Sequence, residues 1–385
     1  MSQRAKKEYL REIRYRYRLA SKQSKKLILD EFCEVCGYNR KYAIRLLNDK
    51  PVKADNWKRK RGRKPIYEKS EIITFLETVW KATNLMCSKR LKAAIPLWID
   101  WYVPKDSKPL EEEIKKQILK ISPATIDRLL KKNRKKYNKK GFCTTKPGRI
   151  IRQFIPIKTN QWDETKPGFV EADTVAHCGG SMAGDFIFTL DIVDIATGWT
   201  TQRAVWGKGE TGVFSAMTDI ERTLPFKIKG FDSDNGGEFL NWRLLKYFKE
   251  RKRPVQFTRS REYNKNDNAH IEEKNWTVVR QYIGYERLDK KDILDMMNDL
   301  YTKEFYYFIN FFKPSVKLKS KIRIRSKIMK KYHPPKTPYH RLMESPEIPK
   351  KTKLILTSVF KKLNPFKLEK KISEKINRIL NLAIR

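Results

Sequence analysis

Three acidic residues stand where predicted elements of one region converge. Asp173 lies within a strand-like segment, Asp234 ends another strand just before the turn Asn235-Gly236-Gly237, and Glu272 sits in the first turns of a helical segment. A strand that ends in Asp-Asn-Gly leaves its acid at the rim of a sheet, and an acid early in a packed helix can face the same rim. Burying three carboxylates side by side is strongly unfavourable unless divalent cations neutralise them, so the pattern predicts a metal site.

Two of these assignments have a neighbouring alternative. Asp232 lies two residues before Asp234 on the same strand face, and Glu273 is adjacent to Glu272. Asp234 is preferred because it enters the Asp-Asn-Gly turn, which leaves its side chain at the end of the strand.

The elements that must position these acids begin near residue 168. The segments GFVEADTV, DFIFTLDIV and WTTQRAVW are strand-like and are joined by turn-rich HCGGSMAG and DIATG, which predicts an antiparallel meander. A helix over 210–224, a strand over 228–233, a helix over 238–252, a strand over 255–258 and a helix from about 267 are expected to follow. The order βββαβαβα predicts an α/β core with a mixed sheet. Asp191 and Asp194 are interpreted as the end of the second strand.

The segment from Phe169 to about Asp289 resembles the catalytic core shared by DDE transposases of bacterial insertion sequences and retroviral integrases. The matching stretches are VEADTVAHCGG, TLDIVDIATGW, GFDSDNGGEF and YNKNDNAHIEEKNW. Sixty residues separate Asp173 from Asp234 and 37 separate Asp234 from Glu272, which is similar to that family's D,D-35-E spacing. The order βββαβαβα is likewise that of the family's ribonuclease-H-like fold.

The resemblance implies that Asp173, Asp234 and Glu272 are catalytic and hold two Mg²⁺ or Mn²⁺ ions. Such a site would use water to expose a 3′-OH at an element end, and would then use that 3′-OH to attack a target strand. The resemblance also fixes the helix register that favours Glu272 over Glu273. A metal-dependent polynucleotidyl transferase that carries out DNA integration is the function expected.

The predicted helix after residue 267 carries further candidates. Asn275, one turn after Glu272, is expected to touch DNA beside the metals, whereas Trp276 and Val279 are expected to pack inward. His270 either orients a phosphate or a water molecule, or is a structural histidine.

Charge indicates the partner. The chain has 86 Lys and Arg against 44 Asp and Glu, a formal charge of +42. Residues 1–158 carry a net +27 and residues 313–385 a net +18, whereas 159–312 carry −3. Basic arms around a slightly acidic middle predict that double-stranded DNA, as element terminal inverted repeats and as target, is held by the flanks. The alternative is that lysine-rich flanks are merely solvated. Because two ends must be joined at once, a homo-oligomer on DNA is expected.

The N-terminal region is predicted to be helical and to bind DNA. Residues 24–47 have the pattern of two short helices broken at Cys36-Gly37, with apolar stripes on one side. Arg40, Lys41 and Arg45 are left outward, as in a helix-turn-helix; an ordinary helical hairpin is the alternative. The stripes consist of Ile28, Phe32 and Val35 in the first helix and Ala43, Ile44 and Leu47 in the second.

A basic linker over 58–68 separates this unit from a second helical module. The linker's Arg59, Arg61, Arg63 and Lys64 are expected to follow phosphates or enter a minor groove, or to be inert and solvated. In the second module Ser122 is expected to cap a helix that starts at Pro123.

These predictions divide the chain into five regions: 1–57, a helix-turn-helix; 58–68, the linker; 69–158, the second DNA-binding module and a basic connector; 159–312, the integrase-like core; and 313–385, a basic C-terminal region. The fold class expected is an α/β ribonuclease-H-like core (βββαβαβα, mixed sheet) with N-terminal all-α helix-turn-helix modules and a basic C-terminal extension. A catalytically inactive DNA-binding regulator and a ribonuclease-H-like nuclease are the alternative functions.

Other sequence features favour a cytoplasmic, nucleoid-associated protein. No apolar run approaches the length of about 18 residues that a membrane span needs, and the N-terminus lacks an apolar signal region. Cys33 and Cys36 form a Cys-x-x-Cys pair without nearby histidines or a second such pair, so small helix residues are preferred over a zinc site.

Overall fold

A computed structural model describes residues 1–48, 66–104, 109–137, 164–233, 236–239, 241–259, 269–324 and 327–384. The chain divides into two units, Met1–Pro65 and Ile66–Arg385. No helix among the described residues is long and apolar enough to cross a bilayer.

Residues 1–48 of the first unit form three helices around a small apolar core. Helix α2 ends where Gly37 takes a φ of 64° and its N–H bonds to the carbonyl of Cys33, so the predicted break is confirmed. Ile28, Phe32, Ala43 and Leu47 are buried as predicted. Val35 and Ile44 are instead exposed, and in α2 the buried face also includes Leu29 and Cys36. The helices are α1 (Gln3–Leu19), α2 (Lys22–Cys36) and α3 (Arg40–Asn48).

The described residues between 66 and 137 form four helices at the start of the second unit. Helix α7 starts at Pro123, and the hydroxyl of Ser122 accepts a hydrogen bond from the N–H of Thr125 at 3.2 Å, which confirms the predicted cap. Ile126 and Leu130 of this helix are fully buried. The helices are α4 (Ser70–Ala82), α5 (Ser88–Trp98), α6 (Glu112–Lys120) and α7 (Pro123–Tyr137), and a 3₁₀ turn covers Ile99–Trp101.

A mixed five-stranded sheet follows, in the spatial order β3-β2-β1-β4-β5. Strands β1, β2 and β3 are antiparallel neighbours, whereas β4 runs parallel to β1 and β5 parallel to β4. The predicted mixed sheet with helices is therefore confirmed, and it fits a ribonuclease-H-like fold. The elements are β1 (Phe169–Ala176), β2 (Ile187–Asp194), β3 (Thr200–Trp206), α8 (Glu210–Thr223), β4 (Gly230–Ser233), α9 (Trp242–Lys249), β5 (Gln256–Arg259) and α10 (Ala269–Lys274).

The two faces of the sheet differ in composition. One face is apolar, with Ala172, Leu190 and Phe231 packed against α8 and α9. The opposite face carries polar side chains and is covered by α10, which packs on β1 and β2. At the outer edge of β3, the side-chain amide of Asn310 hydrogen-bonds to the N–H and C=O of Thr200, and that of Asn298 to the N–H and C=O of Ala204, so these two edge positions have partners.

The chain after α10 continues as helices and one separate hairpin. The helical elements are a π-helical segment (Asn275–Arg280), α11 (Gln281–Ile283), α12 (Lys291–Leu300), two further π-helical segments (Tyr301–Phe305 and Phe308–Phe312), α13 (Pro338–Glu344), α14 (Lys350–Lys362) and α15 (Pro365–Ile384). The strands β6 (Leu318–Ile324) and β7 (Lys327–Tyr332) form an antiparallel pair outside the five-stranded sheet.

One hydrophobic cluster joins parts of three predicted regions. Trp98 of α5 is fully buried, and its ring lies 6.0, 6.5 and 4.8 Å from the rings of Phe308, Phe312 and Phe366. These rings come from the second helical module, the end of the core region and the C-terminal region. The basic C-terminal region is thus packed into the second unit through α13, α14 and α15, while the five-part functional division stays a prediction.

Candidate active site

The polar face of the sheet brings acids of three strands together. In the first register row Asp173 of β1 lies opposite Asp191 of β2. In the second row Glu171 of β1 lies opposite Asp232 of β4. Because Glu171 and Asp173 are two residues apart on one strand, both point to the same face. Four carboxyl groups therefore share this face in two adjacent rows.

Glu171 holds the helix that carries Glu272. Its side chain is only 1% exposed, and its Oε2 accepts a hydrogen bond from the N–H of Ile271 at 3.0 Å. Burial, together with the nearby charges of Asp232 and Glu272, raises the pKa of Glu171 to about 8. The bond from Ile271 ties the first turn of α10 to the strand of Asp173. Glu272, the next residue, is exposed.

Asp173 is held by two donors. Its Oδ2 accepts a hydrogen bond from Nδ2 of Asn275 at 2.6 Å, and its Oδ1 accepts one from the N–H of Thr174 at 2.7 Å. The amide oxygen of Asn275 is buried and has no hydrogen-bond partner among the described residues. The residue predicted to touch DNA therefore lies directly against Asp173, with a buried oxygen available to a further ligand.

Asp191 is an interior strand residue, so its interpretation as the end of a strand is wrong. It is fully buried, and its Oδ1 accepts hydrogen bonds from the hydroxyl of Thr200 at 2.9 Å and from Nε2 of Gln202 at 2.8 Å. Burial raises its pKa to about 7, and the charge of Asp173 adds to this effect. The sequence pattern alone does not distinguish a polar residue that is hydrogen-bonded inside a strand from a polar residue that ends the strand.

Asp194 does end β2, as predicted. Its Oδ2 accepts hydrogen bonds from the N–H of Thr197 at 2.8 Å and from the hydroxyl of the same residue at 2.6 Å, and its Oδ1 accepts one from the N–H of Gly168 at 2.8 Å. Burial raises its pKa to about 6. This carboxylate therefore serves the turn after β2.

The other predicted residues of this region differ in how far they are buried. Asp232 is 3% exposed and its Oδ1 accepts a hydrogen bond from the hydroxyl of Thr258 at 2.6 Å. Val279 is buried as expected, but Trp276 is 50% exposed, because the π-helical segment that starts at Asn275 changes the register of the helix face. Burial lowers the pKa of His270 to about 4, which favours the neutral ring.

Asp234 lies outside the described residues, and so do Arg59, Arg61, Arg63 and Lys64 of the linker. Among the described residues, no group of three or more His, Cys, Asp or Glu side chains is arranged to hold a metal ion. The last described pair of the β1–β4 register is Ala172 with Ser233, and the next residues in sequence are Asp173 and Asp234.

The basic residues predicted on α3 are exposed. Arg40 forms an ion pair with Asp30 of α2, and the guanidinium of Arg45 lies 5.1 Å from the ring centre of Tyr42. Lys41 is also exposed.

Sequence reasoning missed three charged residues near the site. Glu171 had a signal, since a residue two before Asp173 on a strand must share its face. Glu238 is 5% exposed, pairs with Nζ of Lys208 at 2.7 Å and accepts a hydrogen bond from the hydroxyl of Thr174 at 3.2 Å. Lys274 of α10 is 8% exposed, and burial lowers its pKa to about 8. Glu238 and Lys274 are recognised only from their burial in the folded chain.

Comparisons with solved structures find retroviral integrases. The magnesium complex of the HTLV-2 integrase catalytic core domain, in its dimeric form, is 14% identical with a TM-score of 0.29, and the match covers 39% of this chain and 90% of that one. The simian T-cell lymphotropic virus intasome in complex with the PP2A regulatory subunit B56 gamma is 12% identical with a TM-score of 0.34, covering 62% and 73%.

Comparison with protein sequences gives a much stronger likeness. No family model matches the chain. It is 36% identical over 332 residues to the uncharacterized protein y4rM of Sinorhizobium fredii, and the match covers 85% of this chain and 91% of y4rM. At this identity and coverage, the chain belongs to the same protein family as y4rM.

Proposed function

We propose that the protein is a transposase-like polynucleotidyl transferase, which cleaves DNA at element ends and joins the resulting 3′-OH to a target strand. The observation that carries this proposal is the acidic face of the sheet, where Asp173 lies two residues from Glu171 along β1 and where Glu171 holds the helix of Glu272. Carboxylates gathered at one place indicate a site for cations. The net charge of +42 indicates a polyanionic substrate, whose charge the same cations would help to neutralise.

Asp173, Asp234 and Glu272 are the proposed ligands of two Mg²⁺ or Mn²⁺ ions. Support comes from the donor set, because hard divalent cations prefer carboxylate and amide oxygens. Asp191 Oδ2 and the amide oxygen of Asn275 are both buried without a hydrogen-bond partner among the described residues. Asp234 directly follows Ser233, whose register partner directly precedes Asp173. When bound, the ions would stabilise charge on the scissile phosphate and lower the pKa of the attacking hydroxyl.

The protein's own residues position this site. Asn275 orients the carboxylate of Asp173 through the 2.6 Å hydrogen bond, and Glu171 fixes the start of α10 through the N–H of Ile271. These contacts hold Asp173 and the backbone before Glu272 in a fixed relation, which reduces the reorganisation that substrate binding would require.

The partner proposed is double-stranded DNA. The three-helix unit 1–48 is proposed to be a helix-turn-helix that presents Arg40, Lys41 and Arg45 of α3 to DNA. The linker residues Arg59, Arg61, Arg63 and Lys64 are proposed to follow phosphates. Because transposition joins two ends at once, we propose that the protein works as a homo-oligomer on DNA.

The test is strand cleavage and joining with the purified full chain. Labelled duplexes taken from the DNA that flanks the coding region would be incubated with Mg²⁺, Mn²⁺ or EDTA. Metal-dependent nicked and joined products are expected, and Asp173→Asn, Asp234→Asn and Glu272→Gln should each lower the rate by at least about 100-fold. Asp292→Asn, an exposed acid at the start of α12, is the matched control and should retain activity.

Two further variants distinguish the proposed metal ligands from the acidic residues next to them in sequence. Asp232→Asn and Glu273→Gln should reduce the rate far less than Asp234→Asn and Glu272→Gln do. Activity that persists in all three variants of the proposed ligands would remove the assignment. Cleavage of RNA–DNA hybrids without cleavage of duplex DNA would favour the ribonuclease alternative instead.

A further inference from the structure

Strands β6 and β7 form a two-stranded ribbon that is separate from the five-stranded sheet; we call it the basic ribbon. Its register pairs Ile322 with Met329, and both side chains are 51% exposed. A hairpin of two strands without a covering layer is only marginally stable in water. The ribbon therefore presents backbone and side chains to solvent that a partner could cover.

The charge of the ribbon indicates the chemistry of that partner. Residues 317–331 contain eight Lys or Arg and no Asp or Glu. Lys319, Lys330 and Lys331 are all exposed on this small sheet, and like charges brought close together in a sheet destabilise it. A polyanion laid along the ribbon would remove this repulsion. Pairing with the ribbon of a second copy would increase it, and lysine-rich edges oppose such pairing.

The base of the ribbon is fastened to the sheet. Ser315 and Lys336 exchange backbone hydrogen bonds of 2.9 and 3.2 Å, and the N–H of His333 bonds to the carbonyl of Lys317 at 2.8 Å. Nζ of Lys317 donates to the carbonyl of Ala196 at 2.7 Å, and Arg341 donates to the hydroxyl of Ser315 at 2.8 Å. The ribbon thus starts from a fixed point beside the turn that follows β2.

We propose that the basic ribbon docks in the major groove of duplex DNA, with Lys319, Lys330 and Lys331 on the phosphates that border the groove. The choice of DNA as the polyanion rests on the proposed function. The dimensions agree: the seven residues of β6 span about 24 Å, and a major groove about 12 Å wide admits a two-stranded β-ribbon.

The first experiment measures the salt dependence of duplex binding in EDTA, so that it does not require catalysis. The variant Lys319→Gln/Lys330→Gln/Lys331→Gln removes three exposed ribbon charges. The slope of log Kd against log salt should fall by about 2 to 3, and Kd at 0.1 M salt should rise at least about 10-fold. The matched control, Lys350→Gln/Lys351→Gln/Lys361→Gln, removes the same charge from exposed positions of α14 and should leave the slope nearly unchanged.

A second measurement uses the unaltered chain and so does not depend on the folding of a variant. Lysine acetylation followed by mass spectrometry should show Lys319, Lys330 and Lys331 protected by duplex DNA, with Lys350, Lys351 and Lys361 still reactive. Equal protection of both sets, or equal loss of binding in both triple variants, would overturn the proposal, because the effect would then be one of net charge. Protection by anionic vesicles and not by DNA would also overturn it.

Failure of the ribbon proposal can be distinguished from failure of the proposed catalytic function. If the wild-type chain binds DNA through the ribbon but shows no cleavage, the proposed catalytic function fails and the ribbon proposal stands. If the Asp173→Asn variant loses cleavage while the ribbon lysines remain unprotected by DNA, the ribbon proposal fails alone.

Discussion

Replacing Trp98 by alanine should destabilise the whole second unit. The indole is fully buried, makes near-perpendicular contacts with Phe308, Phe312 and Phe366, and donates a long hydrogen bond of 3.4 Å to the carbonyl of Phe312. Truncating a buried Trp to Ala removes about 3 to 5 kcal/mol of unfolding free energy. Three aromatic partners place Trp98→Ala in the upper part of that range, at about 4 to 5 kcal/mol.

Guanidinium denaturation, followed by far-UV circular dichroism, would measure this loss. Hydrogen exchange would show where it acts: amides of α5, of the sheet and of α15 should all lose protection together, because the rings that contact Trp98 come from distant parts of the chain. Trp242→Ala is the matched control, since Trp242 is 77% exposed, and should change the unfolding free energy by no more than about 0.5 kcal/mol.

A local effect of Trp98→Ala would contradict this prediction. If Trp98→Ala speeds exchange only in residues 70–137 while the amides of β1, β2 and β3 keep their protection, the helical module folds independently of the sheet. A loss of less than about 1 kcal/mol would likewise show that the cluster around Trp98 does not stabilise the unit.

Three further predictions concern single residues. Asn275→Ala should lower cleavage by about 10- to 100-fold with little change in the denaturation midpoint, because it releases the carboxylate of Asp173; an unchanged rate would contradict the positioning role. Burial holds the pKa of His177 near 3 against an ordinary 6.5, so the unfolded chain binds more protons between these values. The contribution of His177 is then complete above pH 6.5 and is lost as the pH falls toward 3. Denaturation midpoints at pH 4 and 7 should therefore differ less in His177→Gln than in the wild type, and equal differences would count against this. Glu238→Gln removes the negative charge that pairs with Lys208, whose side chain is 42% exposed, so only about 1 to 2 kcal/mol of unfolding free energy should be lost in thermal or chemical denaturation; a loss above about 4 kcal/mol would show a tighter pair.

The strands and caps were accessible to sequence reasoning because local chemistry determines them. The alternation of apolar and polar residues in the strand segments places β1 to β3, and Gly37 and Ser122 mark helix ends through a positive φ and a capping hydroxyl. Each signal acts within a few residues, so long-range packing does not override it.

Other features depend on contacts between distant residues. The lysine-rich composition of 313–385 indicated a DNA-contacting extension, yet Phe360 and Ile379 belong to the same apolar cluster as Trp98. Asp191 is satisfied inside the sheet by Thr200 and Gln202, which its own segment does not reveal. The role of Asp191 becomes visible only when β2 is paired with β3.

Anomalous scattering from crystals grown with Mn²⁺ would test whether Asp173, Asp234 and Glu272 share divalent cations. We expect Mn²⁺ peaks at about 2.0 to 2.4 Å from carboxylate oxygens of these three residues, and we expect these peaks to be lost in crystals of Asp173→Asn. Carboxylates that point apart, or Mn²⁺ bound only at other acids, would contradict the proposed metal site.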